Sequence, residues 1–187
     1  MKKLFTIIAF MLFYTFSFAQ NLTLQATLPY PFSLANIGGY VDSQGNEYAL
    51  VGTEDGLSIV DVTTPTNPVE LFAVPGIQSQ WREVKIWLNY AYVTTEGGDG
   101  LQIINLDYLP DSVQVKQYHG DAAINNQLDN IHALHIDNGY VYLYGSNLFN
   151  GAAVICDLNA DPWNPHYLGH TPGTYIHDGY VRNDTLY

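Results

Sequence analysis

The sequence YALVGTEDGLSIVDV occupies residues 48–62, and the same pattern returns twice further along the chain. The related stretches are YVTTEGGDGLQIINL at residues 92–106 and YLYGSNLFNGAAVICDL at residues 142–158. Each stretch begins with Tyr, reaches a Gly eight or nine residues later, and continues into an apolar run that ends at Asp or Asn. Short runs rich in β-branched and aromatic residues on both sides of a polar turn predict a β-hairpin. The chain therefore contains three copies of one hairpin.

The segments around these hairpins repeat as well. A Pro-containing turn follows each hairpin, and an outer strand follows the turn, for example VELFAV at residues 69–74 and HYLGH at residues 166–170. An inner strand precedes each hairpin, and its copies are WREVKIWLNYAY at residues 81–92, IHALHIDNGYVY at residues 131–142 and IHDGYVRNDTLY at residues 176–187.

Four short antiparallel strands in a repeat of about 45 residues are typical of a β-propeller blade. The sequence therefore predicts an all-β protein, a β-propeller built from four-stranded antiparallel blades. A β-sandwich is the alternative, but it gives no reason for the same strand chemistry to return at a fixed period.

The repeat also predicts the domain organisation. A lead-in segment at residues 20–35 precedes a partial β-propeller at residues 36–187. Its blades are predicted at about 36–80, 81–130 and 131–174, and the start of the next blade at 175–187. About three blades and one strand make an incomplete ring with open sheet edges, so we expect an N-terminal piece of a longer protein that aggregates or oligomerises on its own.

The first residues have the pattern of an export signal. Met1, Lys2 and Lys3 precede an uncharged apolar run at residues 4–18, and the run ends in the small-x-small sequence Ser-Phe-Ala. This pattern predicts a signal peptide at residues 1–19 and a secreted or cell-surface location. A transmembrane anchor is the alternative, but the run is shorter than the roughly 20 residues that span a bilayer. We predict no transmembrane segment in the mature chain.

Charge and composition exclude two classes of protein. The chain carries 6 basic and 18 acidic residues, for a formal charge of −12, so we expect no nucleic-acid partner. Removing the signal peptide leaves 4 basic residues and a charge of about −14. An apolar content of 47% argues against a disordered chain. The single cysteine, Cys156, lies in the apolar run AAVIC and is predicted to be a buried core residue.

Several phrases resemble known families. The sequence GLSIVDVTTPTNPVEL at residues 56–71 resembles the LVIVD repeat, a propeller repeat of cell-surface proteins. Residues 81–110, 130–148 and 175–187 are similar to the choice-of-anchor B family of secreted proteins, and the export signal resembles those of Bacteroidetes. The resemblance implies an exported propeller that a C-terminal segment anchors or releases, with a protein, peptide or glycan partner at the cell surface. It implies no catalytic residues.

Five polar residues form the candidate ligand-binding ring. Arg82, His132 and His177 occupy equivalent positions at the start of successive inner strands, and Glu83 and Asp178 follow directly. Such positions surround the central channel of a propeller, so these side chains are expected to converge at its mouth. Three interpretations remain open: the ring satisfies its own hydrogen bonds, it binds a substrate or glycan, or it binds a metal. The weak metal candidates are His132, His177 and Asp178.

Acidic turns are the candidates for calcium, but a structural role is favoured. Two Gly-rich turns carry Glu54, Asp55, Glu96 and Asp99. A third stretch, Asp157, Asn159 and Asp161, has calcium-loop spacing, but Pro162 follows where such a loop needs Gly. Side chains of this kind commonly cap their own backbone in β-turns. The same reading applies to one residue per blade, at Asp61, Asn105 and Asp157.

The catalytic motifs that short spacings reveal are missing. The sequence contains neither a G-x-S-x-G nor an H-E-x-x-H motif, and no Gly-rich phosphate loop opens a helix. Aromatic residues that could stack on sugars include Tyr30, Trp81, Trp87, Tyr108, Trp163 and Tyr167. The sequence therefore favours a binding scaffold. The alternative is an extracellular enzyme or metal-binding propeller that uses the candidate ring.

Overall fold

The computed structural model describes residues 22–183 and 185–187, and the predicted signal peptide lies outside them. The described residues form three four-stranded antiparallel sheets and one two-stranded hairpin. Helical structure there is limited to two 3-10 turns, Ala122–Ile124 and Phe149–Gly151. No helix among these residues has the length and apolarity needed to cross a bilayer. The prediction of an all-β fold built from four-stranded antiparallel blades is confirmed.

Each sheet is a meander of four consecutive strands, and we call the sheets blades 1, 2 and 3. Blade 1 contains β1 (Leu34–Val41), β2 (Glu47–Thr53), β3 (Gly56–Asp61) and β4 (Val69–Pro75). Blade 2 contains β5 (Val84–Trp87), β6 (Tyr90–Val93), β7 (Leu101–Asn105) and β8 (Gln114–Tyr118). Blade 3 contains β9 (Ala133–Asp137), β10 (Tyr140–Tyr144), β11 (Val154–Asp157) and β12 (His166–His170). The terminal hairpin contains β13 (Val181–Arg182) and β14 (Thr185–Leu186).

The blades pack face to face along their first strands. Strand β1 contacts β5, β5 contacts β9, and β9 contacts β13. Between blades 1 and 2 lies a core that includes Leu50 and Ile59 from one sheet and Val93 and Ile104 from the other. A second core of the same kind lies between blades 2 and 3. These contacts are those of neighbouring propeller blades, and the described residues do not close a ring.

The predicted inner strands are hairpins rather than single strands. Residues 81–92 form β5 and β6, and residues 131–142 form β9 and β10, each pair joined by a two-residue turn. Asn138 and Gly139 both adopt the left-handed region, with φ of 50° and 77°, as a type I′ turn requires. The end of the chain repeats this arrangement, so it holds two short strands where the sequence predicts one.

The hairpin repeat is confirmed, but its alignment shifts by two residues. Tyr48 pairs with Asp61 across the β2–β3 hairpin, and the residues that pair with Asn105 and Asp157 are Tyr90 and Tyr140. The sequence comparison instead begins the second and third copies at Tyr92 and Tyr142. The turns between the second and third strands are longer in blades 2 and 3 than in blade 1. Counting back the same eight or nine residues from the Gly of the turn therefore reaches a Tyr two residues after the one that pairs with Asn105 or Asp157.

One capping hydrogen bond recurs at the end of the third strand of every blade. The side-chain oxygens of Asp61 and Asn105 accept backbone N–H groups two residues later, each at 2.9 Å. Asp157 accepts the N–H of Asn159 at 2.8 Å in the same way. The prediction that these residues stabilise turns is confirmed, as is the burial of Cys156. These Asx turns start the connection to the outer strand.

The lead-in segment covers part of the outer face of blade 1. The hydroxyl groups of Tyr30 and Ser58 are hydrogen-bonded at 2.8 Å, and Ser58 donates to Glu70 at 2.6 Å. Together with Ala26 and Leu28, Tyr30 lines an apolar groove of about 320 Å³ against β2 and β3. The segment therefore shields apolar sheet residues that face away from blade 2.

Candidate functional site

A cavity of about 450 Å³ lies where the first strands of the blades begin. All five residues of the candidate ring line this cavity: Arg82, Glu83, His132, His177 and Asp178. The reason is topological: Arg82 and Glu83 precede β5, His132 precedes β9, and the last two residues precede β13, and these three strands lie side by side. We call it the mouth cavity. The structure thus brings the five residues together, while their part in binding stays a prediction.

His132 is the most enclosed histidine of the mouth cavity. Its side chain is 14% exposed, and its Nδ1 lies 2.5 Å from Oε1 of Glu96. An ionised carboxylate only accepts hydrogen bonds, so Nδ1 is the donor in this contact, and in the neutral imidazole the lone pair is on Nε2. Glu96 comes from the turn after β6 in blade 2 and lines the same cavity. The sequence suggested Glu96 only as a calcium candidate, and no local spacing connects it with a histidine 36 residues later.

His177 and Asp178 form a second histidine–carboxylate pair. Nδ1 of His177 donates to Oδ2 of Asp178 at 2.6 Å, and both side chains are 64% exposed. The ring of His177 lies against that of His132, with 3.9 Å between centroids. One ligand atom from each of His132, His177 and Asp178 lies within 4.8 Å of the other two. The structure therefore brings the three weak metal candidates into one cluster, and metal binding by it stays a prediction.

Glu83 and Arg82 connect neighbouring blades through backbone groups. Oε2 of Glu83 accepts the N–H of Leu134 in blade 3 at 3.0 Å. The guanidinium of Arg82 donates to the carbonyl oxygens of Thr53 at 3.0 Å and Ile77 at 2.6 Å. These two side chains are therefore hydrogen-bonded to backbone groups outside the ring, and the choice among the three interpretations stays a prediction.

The electrostatic environment of the mouth cavity is acidic. The carboxylates of Glu83, Glu96 and Asp178 outnumber the single guanidinium of Arg82, which leaves a net charge of −2 when the histidines are neutral. Burial lowers the pKa of Arg82 from its usual value, and the charge of Asp55 opposes this shift. A cavity with this excess of negative charge favours a cationic group.

Tyr144 lies beneath this site without a hydrogen bond. Its hydroxyl is buried and has no partner among the described residues. Burial is the main reason that its pKa is raised, and the charges of Tyr142, Glu83 and Asp178 add to the shift. A Cβ atom on Gly179 would lie 2.7 Å from Cζ of Tyr144, so the ring packs directly on the backbone after Asp178. Nothing in the sequence indicated that this tyrosine supports the site.

The calcium candidates do not assemble into a cation site among the described residues. Glu54 accepts a hydrogen bond from Gln78 at 3.0 Å, and Asp99 lies 3.6 Å from Nε2 of His119. Asp161 caps the turn that follows it by accepting the N–H of Trp163 at 2.9 Å. Asp55 and Glu54 belong to blade 1 and the other Gly-rich turn to blade 2. The structural interpretation of Asp157, Asn159 and Asp161 is confirmed by their turn hydrogen bonds.

Among the aromatic candidates for sugar stacking, only Trp81 lines the mouth cavity, while Trp87, Trp163 and Tyr167 pack against the core between blades 2 and 3. Trp81 is 61% exposed and lines the mouth cavity. Trp163 packs on Tyr90, and the ammonium of Lys116 lies 5.1 Å from its ring centroid. Trp87 packs against the core between blades 2 and 3. Trp81 is therefore the tryptophan available to a ligand in the mouth cavity.

Comparison with known protein families identifies a repeat in blade 1. The family model for the LVIVD repeat matches residues 43–75, which contain β2, β3 and β4 of blade 1. No curated protein and no solved structure matches the chain. The match includes the stretch at residues 56–71 on which the resemblance to this repeat depends, whereas the resemblance to the choice-of-anchor B family stays a prediction. Over these residues the chain is similar to LVIVD repeats, which agrees with a protein of the β-propeller type.

Proposed function

We propose that this protein is an exported, secreted or surface-displayed repeat scaffold that binds a ligand through the mouth cavity. The observation that carries the proposal is the position of the cavity. Polar residues from repeat-equivalent places meet where the first strands begin, beside Trp81 and two alanines. Concave sites lined by a few converging polar groups are the usual places where proteins bind ligands.

The charge of the mouth cavity defines the group that it accepts. Its net charge of −2 and the exposed face of Trp81 suit a cationic group, such as a basic side chain of a protein or peptide partner. Arg82 donates to two backbone carbonyls and is 3% exposed, so it offers little to an anionic ligand. A neutral glycan would gain little from this charge.

A titration with a lysine-rich peptide tests the binding proposal. The full chain is titrated with a hexalysine peptide and with its fully acetylated form, and binding is followed by tryptophan fluorescence, to which Trp81 contributes together with two other tryptophans. We expect binding of the charged peptide alone, a weakening of at least fivefold in Glu96→Gln and in Asp178→Asn, and loss of the fluorescence change in Trp81→Phe. The control Asp161→Asn changes the net charge equally at a turn outside the cavity. Equal weakening by this control, or no binding, would contradict the proposal.

Export is tested separately by fractionating cells that express the full chain. The mass of the protein in the medium or at the surface is expected to correspond to a chain beginning at Gln20. Retention in the cytoplasm with an intact N-terminus would contradict the predicted signal peptide at residues 1–19.

The alternative, an extracellular enzyme, has one observation in its favour. The cluster of His132, His177 and Asp178 combines ligand types found in catalytic zinc sites. Hydrolysis of ester or phosphate model substrates by the full chain, lost in His177→Ala and retained in His166→Ala, would favour this function over a binding scaffold.

A further inference from the structure

We propose that the mouth cavity binds a divalent transition-metal ion of the zinc class, with His132, His177 and Asp178 as ligands. This inference rests on the proposed function, in which the cavity takes a cationic group, and it names the cation. The ligand set contains two imidazoles and one carboxylate, the donor types that Zn²⁺ uses when it keeps a position open for water or a ligand. Calcium is a poor match because it prefers oxygen ligands.

The distances within the cluster are compatible with one ion. One ligand atom of each residue lies within 4.8 Å of the others. Tetrahedral bonds of about 2.1 Å hold neighbouring ligand atoms about 3.4 Å apart, so a small side-chain adjustment is needed. His177 and Asp178 are both 64% exposed, and exposed side chains make such adjustments readily. Their mutual hydrogen bond would be exchanged for bonds to the ion.

Glu96 already orients His132 as metal-binding histidines are usually oriented. Such a histidine commonly donates its second ring N–H to a carboxylate, which fixes the tautomer and increases the basicity of the ligating nitrogen. The 2.5 Å contact between Nδ1 of His132 and Glu96 is of this kind. It leaves Nε2 as the nitrogen with a lone pair. Glu96 is therefore a positioning residue and not itself a ligand.

The segment that carries His177 and Asp178 is held from both ends. Before it, the ring of Tyr175 packs so closely on Gly151 that a Cβ atom there would lie 2.3 Å from Cδ2. The N–H of Ile176 donates to the carbonyl of Gly151 at 3.0 Å. After it, Gly179 packs on the ring of Tyr144. These contacts place the two ligands over blade 3 before an ion arrives, which reduces the entropic cost of binding.

Zinc titration of the full chain tests the site. Metal-free protein is titrated with ZnCl₂ by calorimetry, and melting is followed by circular dichroism with and without the ion. We expect one ion per chain and a rise in the melting temperature. Affinity should fall at least tenfold in His177→Ala and in Asp178→Asn, and by a smaller factor in Glu96→Gln, in which His132 keeps its imidazole.

His166→Ala is the matched control. His166 and Asp121 form the same type of pair, with Nδ1 and the carboxylate 2.6 Å apart and a similarly exposed imidazole, but they lie outside the cluster. This variant should bind zinc like the wild type. The side chain of His132 is 14% exposed, so His132→Ala can disturb the fold of blade 3. Asp178→Asn changes an exposed side chain and therefore provides a folded variant that lacks one ligand.

Two outcomes separate this inference from the proposed function. If zinc does not bind, or binds equally well to His177→Ala and Asp178→Asn, the metal site is refuted, while binding of hexalysine would leave the proposed function intact. If neither zinc nor hexalysine binds to the folded chain, both proposals are refuted.

Discussion

Replacing Arg82 by Met should strongly destabilise the packing of blades 1 and 2. The residue is 3% exposed, and its guanidinium makes two hydrogen bonds to the carbonyls of Thr53 and Ile77. Met retains most of the apolar stem but donates no hydrogen bond. Two charge-assisted hydrogen bonds contribute about 1.5–3 kcal/mol each, and release of the buried charge offsets part of their loss. We therefore expect the free energy of unfolding to fall by about 3 kcal/mol.

Urea denaturation followed by circular dichroism measures this change. For a chain of this size the loss corresponds to a fall in Tm of roughly 6–12 °C. Arg182→Met is the control, because it removes the same charge from an exposed position in β13. Arg82→Lys keeps the charge without the planar fork and should recover only a minor part of the stability. A change of less than about 0.5 kcal/mol in Arg82→Met would refute the assignment of Arg82 as a connection between blades.

Three further predictions concern single groups. Tyr144→Phe should raise the free energy of unfolding by about 1 kcal/mol in a denaturation experiment, because the substitution removes a buried hydroxyl with no partner among the described residues; a loss of stability would contradict this. Iodoacetamide should label Cys156 only in denaturant, since burial raises the pKa of its thiol to about 12, and rapid labelling of the native chain, detected by mass, would argue against that burial. Burial alone would raise the pKa of Asp121, but hydrogen bonds, first that from the N–H of Tyr167, hold it below 3.8. The ionised carboxylate of Asp121 therefore stabilises the folded chain above pH 3.8, and this stabilisation is lost as pH falls through the folded-state pKa. Between about pH 5 and pH 7 the wild type should have a larger free energy of unfolding than Asp121→Asn, and in strong acid the difference should disappear. Paired urea titrations of the two proteins measure this difference.

The repeat made the blade architecture predictable, because strand chemistry and spacing are local properties. The tight turns inside the predicted inner strands were missed, although Asn138 and Gly139 form a dipeptide that favours a type I′ turn. In blade 2 the turn contains Leu88, with φ of 53°, which gives no such signal in the sequence.

The candidate ring was predictable as a set of positions but not as a set of contacts. Equivalent places in consecutive repeats converge, so Arg82, His132 and His177 were correctly brought to one cavity. The direction of each side chain depends on partners distant in sequence. Arg82 points to carbonyls of blade 1, and His132 contacts Glu96 from the turn of blade 2. Thr53 ends β2 and Glu96 lies in the turn between β6 and β7, and these turns differ in length from repeat to repeat, so the repeat does not predict the pairings.

The recurring Asx turn has a consequence for how such a chain can change over generations. At Asp61, Asn105 and Asp157 the bond uses only a side-chain oxygen and an N–H two residues later. Each blade therefore contains both partners of this hydrogen bond, so the bond is kept when a whole blade is duplicated or when a neighbouring blade is lost. Because Asp and Asn both supply the accepting oxygen, a single-base change between their codons keeps this hydrogen bond while residues of the neighbouring loops change.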